Sequence, residues 1–144
     1  LISQKDERPV NFFASRRIGK FSNSIEVNVA ERTFQMLRTK AAQGESFVVL
    51  GRCGEQVLKD NPNCINVFIC ADRADRIKRI AERYDVSEKK ALDRIKRMDR
   101  ERKYYYETHT GQEWGSISSH DILLNASLLG IEGTVNVLEG IYKR

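Results

Sequence analysis

Residues 65–72 have the sequence INVFICAD, an apolar run of strand length that ends at an aspartate. A continuous run of β-branched and aromatic residues is typical of a parallel strand that is buried on both faces. Asp72 can cap the N-terminus of a helix, and Asp75 would lie in its first turn, where a negative charge is favourable. The stretch therefore predicts a buried strand over residues 65–71 that leads directly into a helix ending near Tyr84.

Two more strands of the same kind are predicted, SFVVL at residues 46–50 and DILLN at residues 121–125. Ser87 is a candidate N-cap for a highly charged helix. A helix is predicted over residues 29–43, with Gly44 at its C-terminal end. A short helical turn is predicted at 53–59, and a last helix after residue 125. This alternation predicts an α/β domain with a mainly parallel sheet and right-handed connections. Residues 1–28, by contrast, predict an irregular segment.

Composition limits the classes of protein to consider. The chain has 144 residues, of which 40% are hydrophobic and 31% charged, so one domain with one core is expected. No apolar run approaches the ~20 residues that span a bilayer, and no export signal opens the chain. Cys53, Cys64 and Cys70 lack metal-ligand spacing and lie in or beside apolar segments, which favours reduced, buried thiols in a cytoplasmic protein. We expect neither a membrane partner nor a metal site.

The positive charge is concentrated in one part of the chain. Residues 73–103 contain 13 Lys or Arg against 7 Asp or Glu, a local net charge of +6, whereas the whole chain carries +5. Such a segment attracts phosphate groups, either on a nucleotide or on a nucleic acid.

Two groups of residues are candidates for phosphate binding. Gly51-Arg52 follows the first predicted strand, at the edge of a parallel sheet where ligands gather, and a guanidinium there can bind a phosphate through two N–H groups. Asp72 and residues 125–127 would lie at the same edge. The second group is the arginine-rich stretch 97–102, whose guanidinium groups can neutralise charge on a transferring phosphoryl group while carboxylates such as Asp99 orient them. A solvated, salt-bridged helix is the alternative for that stretch.

Seven motifs are informative when they are read together: VVLGRC at 48–53, NCINVFI at 63–69, DRIKRI at 75–80, DRERKYY at 99–105, TGQEWG at 110–115, DILLNAS at 121–127 and LGIE at 129–132. In combination they resemble the cytidylate-kinase-like family of nucleoside monophosphate kinases. The similarity runs from about residue 29 to residue 142.

The resemblance implies a three-layer P-loop kinase fold, in which helices flank a parallel sheet and a helical lid carries arginines. It implies transfer of the γ-phosphoryl group of ATP, with Mg²⁺, to a pyrimidine monophosphate, CMP or dCMP. The domain would then divide into an irregular or substrate-binding segment at 1–28, core at 29–83, lid at 84–118 and core at 119–144. Carried over by motif, the functional residues are Gly51, Arg52, Arg76 and Asp99 for substrate binding and Arg97, Arg100 and Arg102 for catalysis.

One family feature is missing from the sequence. The glycine-rich loop that binds ATP phosphates has the pattern Gly-x-x-x-x-Gly-Lys-Ser/Thr, which does not occur here; Gly19-Lys20 follows no predicted strand. We therefore expect the first strand and this loop to lie upstream of Leu1. The chain also has Lys103 and Tyr104 where related kinases place further lid arginines.

Two other functions remain compatible with the sequence. One is a catalytically inactive relative that binds nucleotides; the other is a nucleic-acid-binding protein that uses the basic segment 73–103, although we do not expect nucleic acid to be the main partner. The helix at 29–43 and the last helix are both candidate homodimer surfaces.

Overall fold

A computed structural model describes residues 21–143, with side chains from residue 27 onward. The elements, in chain order, are α1 (Phe21–Ala42), α2 (Gly54–Val57), β1 (Val67–Cys70), α3 (Arg73–Tyr84), α4 (Glu88–Thr110), a 3-10 turn (Ile117–Ser119), β2 (Ile122–Asn125) and α5 (Ala126–Tyr142). The structure thus has the expected mixture of helices and strands.

The two strands form a small parallel sheet. β1 pairs with β2 in a register that matches Val67 with Ile122 and Cys70 with Asn125, so the carboxyl ends of both strands lie at one edge. α3 and α4 together connect the strands, and the two helices pack against each other. A parallel sheet was predicted, and these two strands form one.

The predicted strand at residues 46–50 is wrong, because no β-ladder includes these residues. Val48 is 78% exposed and Leu50 is 83% exposed, so the apolar run is not buried as a central strand would be. Within residues 21–143 no neighbouring strand pairs with this segment, and a strand needs such a partner for its N–H and C=O groups. Complete burial of the other two strands is also wrong, since Ile69 is 50% and Leu123 42% exposed.

Helix α1 begins earlier than the sequence predicts. An irregular segment was expected through Asn28, but the helix starts at Phe21. Ser and Asn are poor helix formers, yet extending an existing helix needs only one residue to be ordered for each hydrogen bond gained. The end is as predicted: Gly44 has φ +73°, its N–H donates to Ala41, and the Glu45 N–H donates to Lys40, which is a Schellman motif.

The main cluster of buried residues joins α1, α2 and α4. Ala30 and Phe34 of α1 pack with Cys53, which precedes α2, and with Tyr106 of α4. Trp114 packs on the edge of this cluster and makes an edge-to-face contact with Phe68 of β1, at 5.9 Å between ring centroids. The core thus ties the sheet to α4, the helix that carries most of the predicted arginines.

Ser87 caps α4 as predicted, since its Oγ accepts a hydrogen bond from the Lys90 N–H at 3.4 Å. Asp72 occupies the N-cap position of α3, but its side chain makes no capping hydrogen bond to that helix. In α5, Gly130 has φ +68° and ψ 176°, a conformation open only to glycine, which kinks the helix after its first turn.

Candidate functional site

The loop that carries Arg52 has a left-handed backbone. Gly51, Arg52 and Cys53 have φ values of +69°, +61° and +55° in succession. Such values are ordinary for glycine but cost a residue with a side chain ~1–2 kcal/mol. The sharp turn predicted at Gly51 is therefore present, and it extends over the next two residues.

The side chain of Arg52 lies against helix α4. Its guanidinium carbon is 6.0 Å from the centroid of the Tyr105 ring. The ring of Tyr105 contacts His109 at 4.5 Å between centroids, and His109 makes an edge-to-face contact with Phe34 at 5.8 Å. Arg52 thus rests on a row of aromatic rings that begins in the buried core.

Asp99 connects two arginines of the predicted site. Nη2 of Arg76 donates to both carboxylate oxygens of Asp99 at 2.8 Å, and Nη1 of Arg102 lies 3.7 Å from Oδ1. The Arg76 N–H donates to the carbonyl of Asp72, which places Arg76 in the first turn of α3, directly after β1. The pair therefore brings the arginine-rich stretch of α4 to the carboxyl edge of the sheet.

The other two arginines of that stretch lie at the surface. Arg97 forms an ion pair with Glu101 one turn later, at 3.7 Å. Arg100 is exposed and forms no ion pair with another residue in the range 27–143. Its guanidinium group is thus available to a ligand.

A small polar network joins the two strand ends. The Asp72 N–H donates to Oγ of Ser127 at 2.8 Å, and Nδ2 of Asn125 donates to Oδ1 of Asp72 at 3.3 Å. The Ser127 N–H in turn donates to Oδ1 of Asn125. These residues were predicted to share the sheet edge, and the structure brings them together.

Next to this network, a recess of about 370 Å³ separates α3 from the start of α5. It is lined by Asp75, Lys78, Arg79, Glu82, Ala126, Ser127, Gly130 and Ile131. A larger but open depression of about 450 Å³ lies on α1, far in sequence from the predicted site. We consider the recess between α3 and α5 the better candidate, because parallel sheets bind ligands at the carboxyl ends of their strands.

Titratable groups near Arg52 are held in their neutral forms. Burial, and to a lesser extent the Glu55 carboxylate, raise the pKa of the Cys53 thiol to about 11, while the Arg52 guanidinium acts in the opposite direction. Burial also raises the pKa of Tyr105, against the lowering effect of Arg52. Neither group is therefore prepared to act as a nucleophile or base near neutral pH.

The described part of the chain shows no other kind of site. No group of three or more His, Cys, Asp or Glu side chains within it is placed to hold a metal ion. None of the helices in residues 21–143 has the length and hydrophobicity of a bilayer-spanning segment. All three cysteines are free thiols; Cys53 is buried as predicted, but burial of Cys70 was wrong, since its side chain is exposed.

Comparison with known proteins assigns the chain to a family. The model of the cytidylate kinase-like family matches residues 2–128, which is most of the chain. The chain belongs to this family. Among curated proteins it is similar to a cytidylate kinase of Methanococcus vannielii, with 26% identity over 127 residues that cover 86% of this chain and 73% of that protein.

A solved structure supports the family fold. An uncharacterized protein from Eubacterium ventriosum aligns with a TM-score of 0.76 and 36% identity, over 83% of this chain and 75% of that one. The small parallel sheet and the helices packed with it are thus consistent with an α/β kinase-like fold.

The predicted residues fall into two places on one helix. Arg76, Asp99 and Arg102 meet at one point of α4, whereas Arg52 contacts the helix at Tyr105, six residues and ~9 Å farther along its axis. Tyr105 belongs to the run Tyr104-Tyr105-Tyr106. From the sequence alone, such a run can either stack on a ligand or pack against the core. The contact of Tyr105 with Arg52 could not be predicted from sequence periodicity, because the two residues are 53 positions apart.

Proposed function

We propose that this chain provides the acceptor-binding and lid regions of an ATP-dependent nucleoside monophosphate kinase. The reaction is transfer of the γ-phosphoryl group of ATP to a pyrimidine monophosphate, with CMP or dCMP as acceptor. The main support is the ion pair between Arg76 and Asp99, because it holds a cluster of arginines beside the carboxyl end of β1. Membership of the cytidylate kinase-like family supports the choice of reaction.

Each residue of the candidate site has a role in this proposal. Gly51 allows the sharp turn, and Arg52 binds the phosphate of the acceptor. Arg97, Arg100 and Arg102 neutralise the charge that spreads over the transferring phosphoryl group. Arg76 and Asp99 orient these side chains before the substrates bind, so that little reorganisation is needed during the reaction.

The recess between α3 and α5 borders the carboxyl end of β2, at Ala126 and Ser127, and has room for part of a nucleotide. Its wall carries Lys78 and Arg79, which can contact the phosphates of ATP, and also two carboxylates, so the lining as a whole has no net charge. Mg²⁺ usually retains water and binds through substrate phosphates, so it would accompany ATP without a dedicated cluster of ligands. The three free thiols suit a cytoplasmic enzyme. We also propose that the protein has the three-layer P-loop fold, including the loop that binds ATP.

The test is a coupled assay of ADP release by the full-length protein with CMP, dCMP, UMP and AMP. We expect turnover with CMP or dCMP, a higher KM for the acceptor in Arg52→Gln, and a kcat roughly 100-fold lower in Arg100→Gln. Lys89→Gln is a matched control, because Lys89 is an exposed cation on the same helix outside the cluster. Nucleotide binding without turnover for any acceptor would identify an inactive relative instead.

A nucleic-acid-binding function has one observation in its favour. Several cations of the basic segment 73–103, including Arg73, Lys89, Lys90 and Lys96, are exposed on α3 and α4. Tight binding of RNA or DNA that weakens steeply with salt, together with absence of turnover, would favour this function over the kinase.

A further inference from the structure

The backbone around Arg52 must be held by its surroundings. Arg52 and Cys53 both have left-handed φ values although neither is glycine. Strained conformations of this kind persist only where neighbouring groups fix them. Cys53 is one such group, because its side chain is only 3% exposed and packs with Phe34 and Tyr106 in the core. The Cys53 side chain therefore fixes the base of the loop, and a second contact is needed to fix the guanidinium group at its tip.

The ring of Tyr105 provides that second contact. It lies below the Arg52 guanidinium and is itself held by His109, at 4.5 Å and an interplanar angle of 57°. His109 is braced in turn by Phe34, which is 6% exposed. The ring therefore has little freedom to move away from Arg52.

A guanidinium held by an aromatic ring differs from one held by a carboxylate in how much of its charge and how many of its N–H donors remain for a ligand. Arg76 uses Nη2 to bind both oxygens of Asp99, and this pairing offsets its positive charge. Arg52 forms no ion pair with a carboxylate in residues 27–143; it contacts the face of the Tyr105 ring and forms one hydrogen bond with the Tyr105 side chain, and neither contact offsets its charge. The positive charge and most of the in-plane N–H donors of Arg52 remain for a ligand, and a fork of this shape fits a phosphate monoester.

We infer that Tyr105 is a positioning residue that holds Arg52 ready to bind the phosphate of the acceptor nucleotide. The inference depends on the proposed function for the identity of the acceptor. It adds a residue that acts through Arg52 and has no chemical role of its own. Tyr105 thus affects affinity for the acceptor rather than the phosphoryl transfer step.

The experiment compares Tyr105→Leu and Tyr105→Phe in the full-length protein. Leucine removes the aromatic face, so we expect a roughly tenfold higher KM for CMP with kcat changed less than twofold. Phenylalanine keeps the face and loses only the hydrogen bond of the hydroxyl with Arg52, so its KM should rise by no more than about threefold. Tyr104→Leu is the matched control, because Tyr104 is the neighbouring tyrosine and is 67% exposed.

Calorimetric titration with CMP measures the same effect without turnover. Thermal unfolding shows whether each variant folds; if Tyr105→Leu does not, Tyr105→Met replaces it and must show the same rise in KM and Kd. An active wild type with unchanged KM and Kd in the folded variant overturns the role of Tyr105 alone. Failure of the wild type to phosphorylate any acceptor overturns the proposed function, while CMP titration still tests the Arg52 contact.

Discussion

The ion pair between Arg76 and Asp99 offers the sharpest test of how α3 and α4 are held together. The two residues are 23 positions apart, and Nη2 of Arg76 lies 2.8 Å from each oxygen of Asp99. We expect Arg76→Met, Asp99→Asn and the double variant to form a double-mutant cycle with a clear coupling free energy. The short distances favour strong coupling, and partial exposure of the pair limits it.

The exposure of the two side chains sets the magnitude. They are 35% and 26% exposed, so the pair is neither fully solvated nor fully buried. Exposed pairs contribute ~0.2–1 kcal/mol, whereas breaking a buried pair costs ~3–5 kcal/mol. Coupling of about 1.5 kcal/mol is therefore expected, with a decrease in Tm of roughly 3–6 °C for Asp99→Asn.

Urea denaturation of the four proteins measures the coupling. The control cycle replaces Arg97 and Glu101 on the same helix, where the separation is 3.7 Å and Arg97 is 56% exposed. That i,i+4 pair should give only ~0.3–0.5 kcal/mol. Equal coupling in both cycles would refute the claim that Asp99 fastens the arginine-rich stretch to α3.

Three further predictions concern the loop before α2. Gly51→Ala should destabilise the fold by ~1–2 kcal/mol, because Gly51 has φ +69° and an added Cβ meets no atom within 4 Å, so the cost is conformational; Gly140→Ala in helix α5, where an added Cβ also meets no atom, should instead be neutral or stabilising in the same urea titration. Iodoacetamide at pH 8 should modify exposed Cys70 well before Cys53, whose raised pKa of about 11 leaves little thiolate. Because this pKa is raised in the folded state, the contribution of Cys53 to stability should be complete below pH 9 and decrease between pH 9 and 11, and Cys53→Ala should remove that decrease.

Local patterns predicted the helix caps and the apolar runs. Ser87 starts α4 and a glycine ends α1 as predicted, and apolar runs mark β1 and β2, although the pairing of these strands joins residues 55 positions apart. The segment at 46–50 has an equally strong apolar pattern and still forms no strand. A strand depends on a partner that its own sequence does not encode, which is why this prediction failed.

The same difference between local patterns and long-range contacts applies to the candidate site. Spacing within α4 places Asp99 and Arg102 on neighbouring turns, and the structure has them 3.7 Å apart. The contacts of Asp99 with Arg76 and of Tyr105 with Arg52 cross between elements, and no periodicity within a helix can predict them. The left-handed backbone at Arg52 and Cys53 was missed for a related reason, since neither residue type favours it and burial of Cys53 imposes it.

The arginines of the candidate site fall into two classes, according to whether a carboxylate lies beside the guanidinium group. Arg76, Arg97 and Arg102 lie beside carboxylates, which orient a guanidinium but offset its charge. Arg52 and Arg100 have no such neighbour among the described residues, so each retains a full positive charge for a ligand. Under the proposed function, we expect Arg52 and Arg100 to contact phosphate groups directly, while the paired arginines add charge without having to move far. Such a division suits a reaction in which charge is redistributed, because fixed charges stabilise the transition state with little reorganisation.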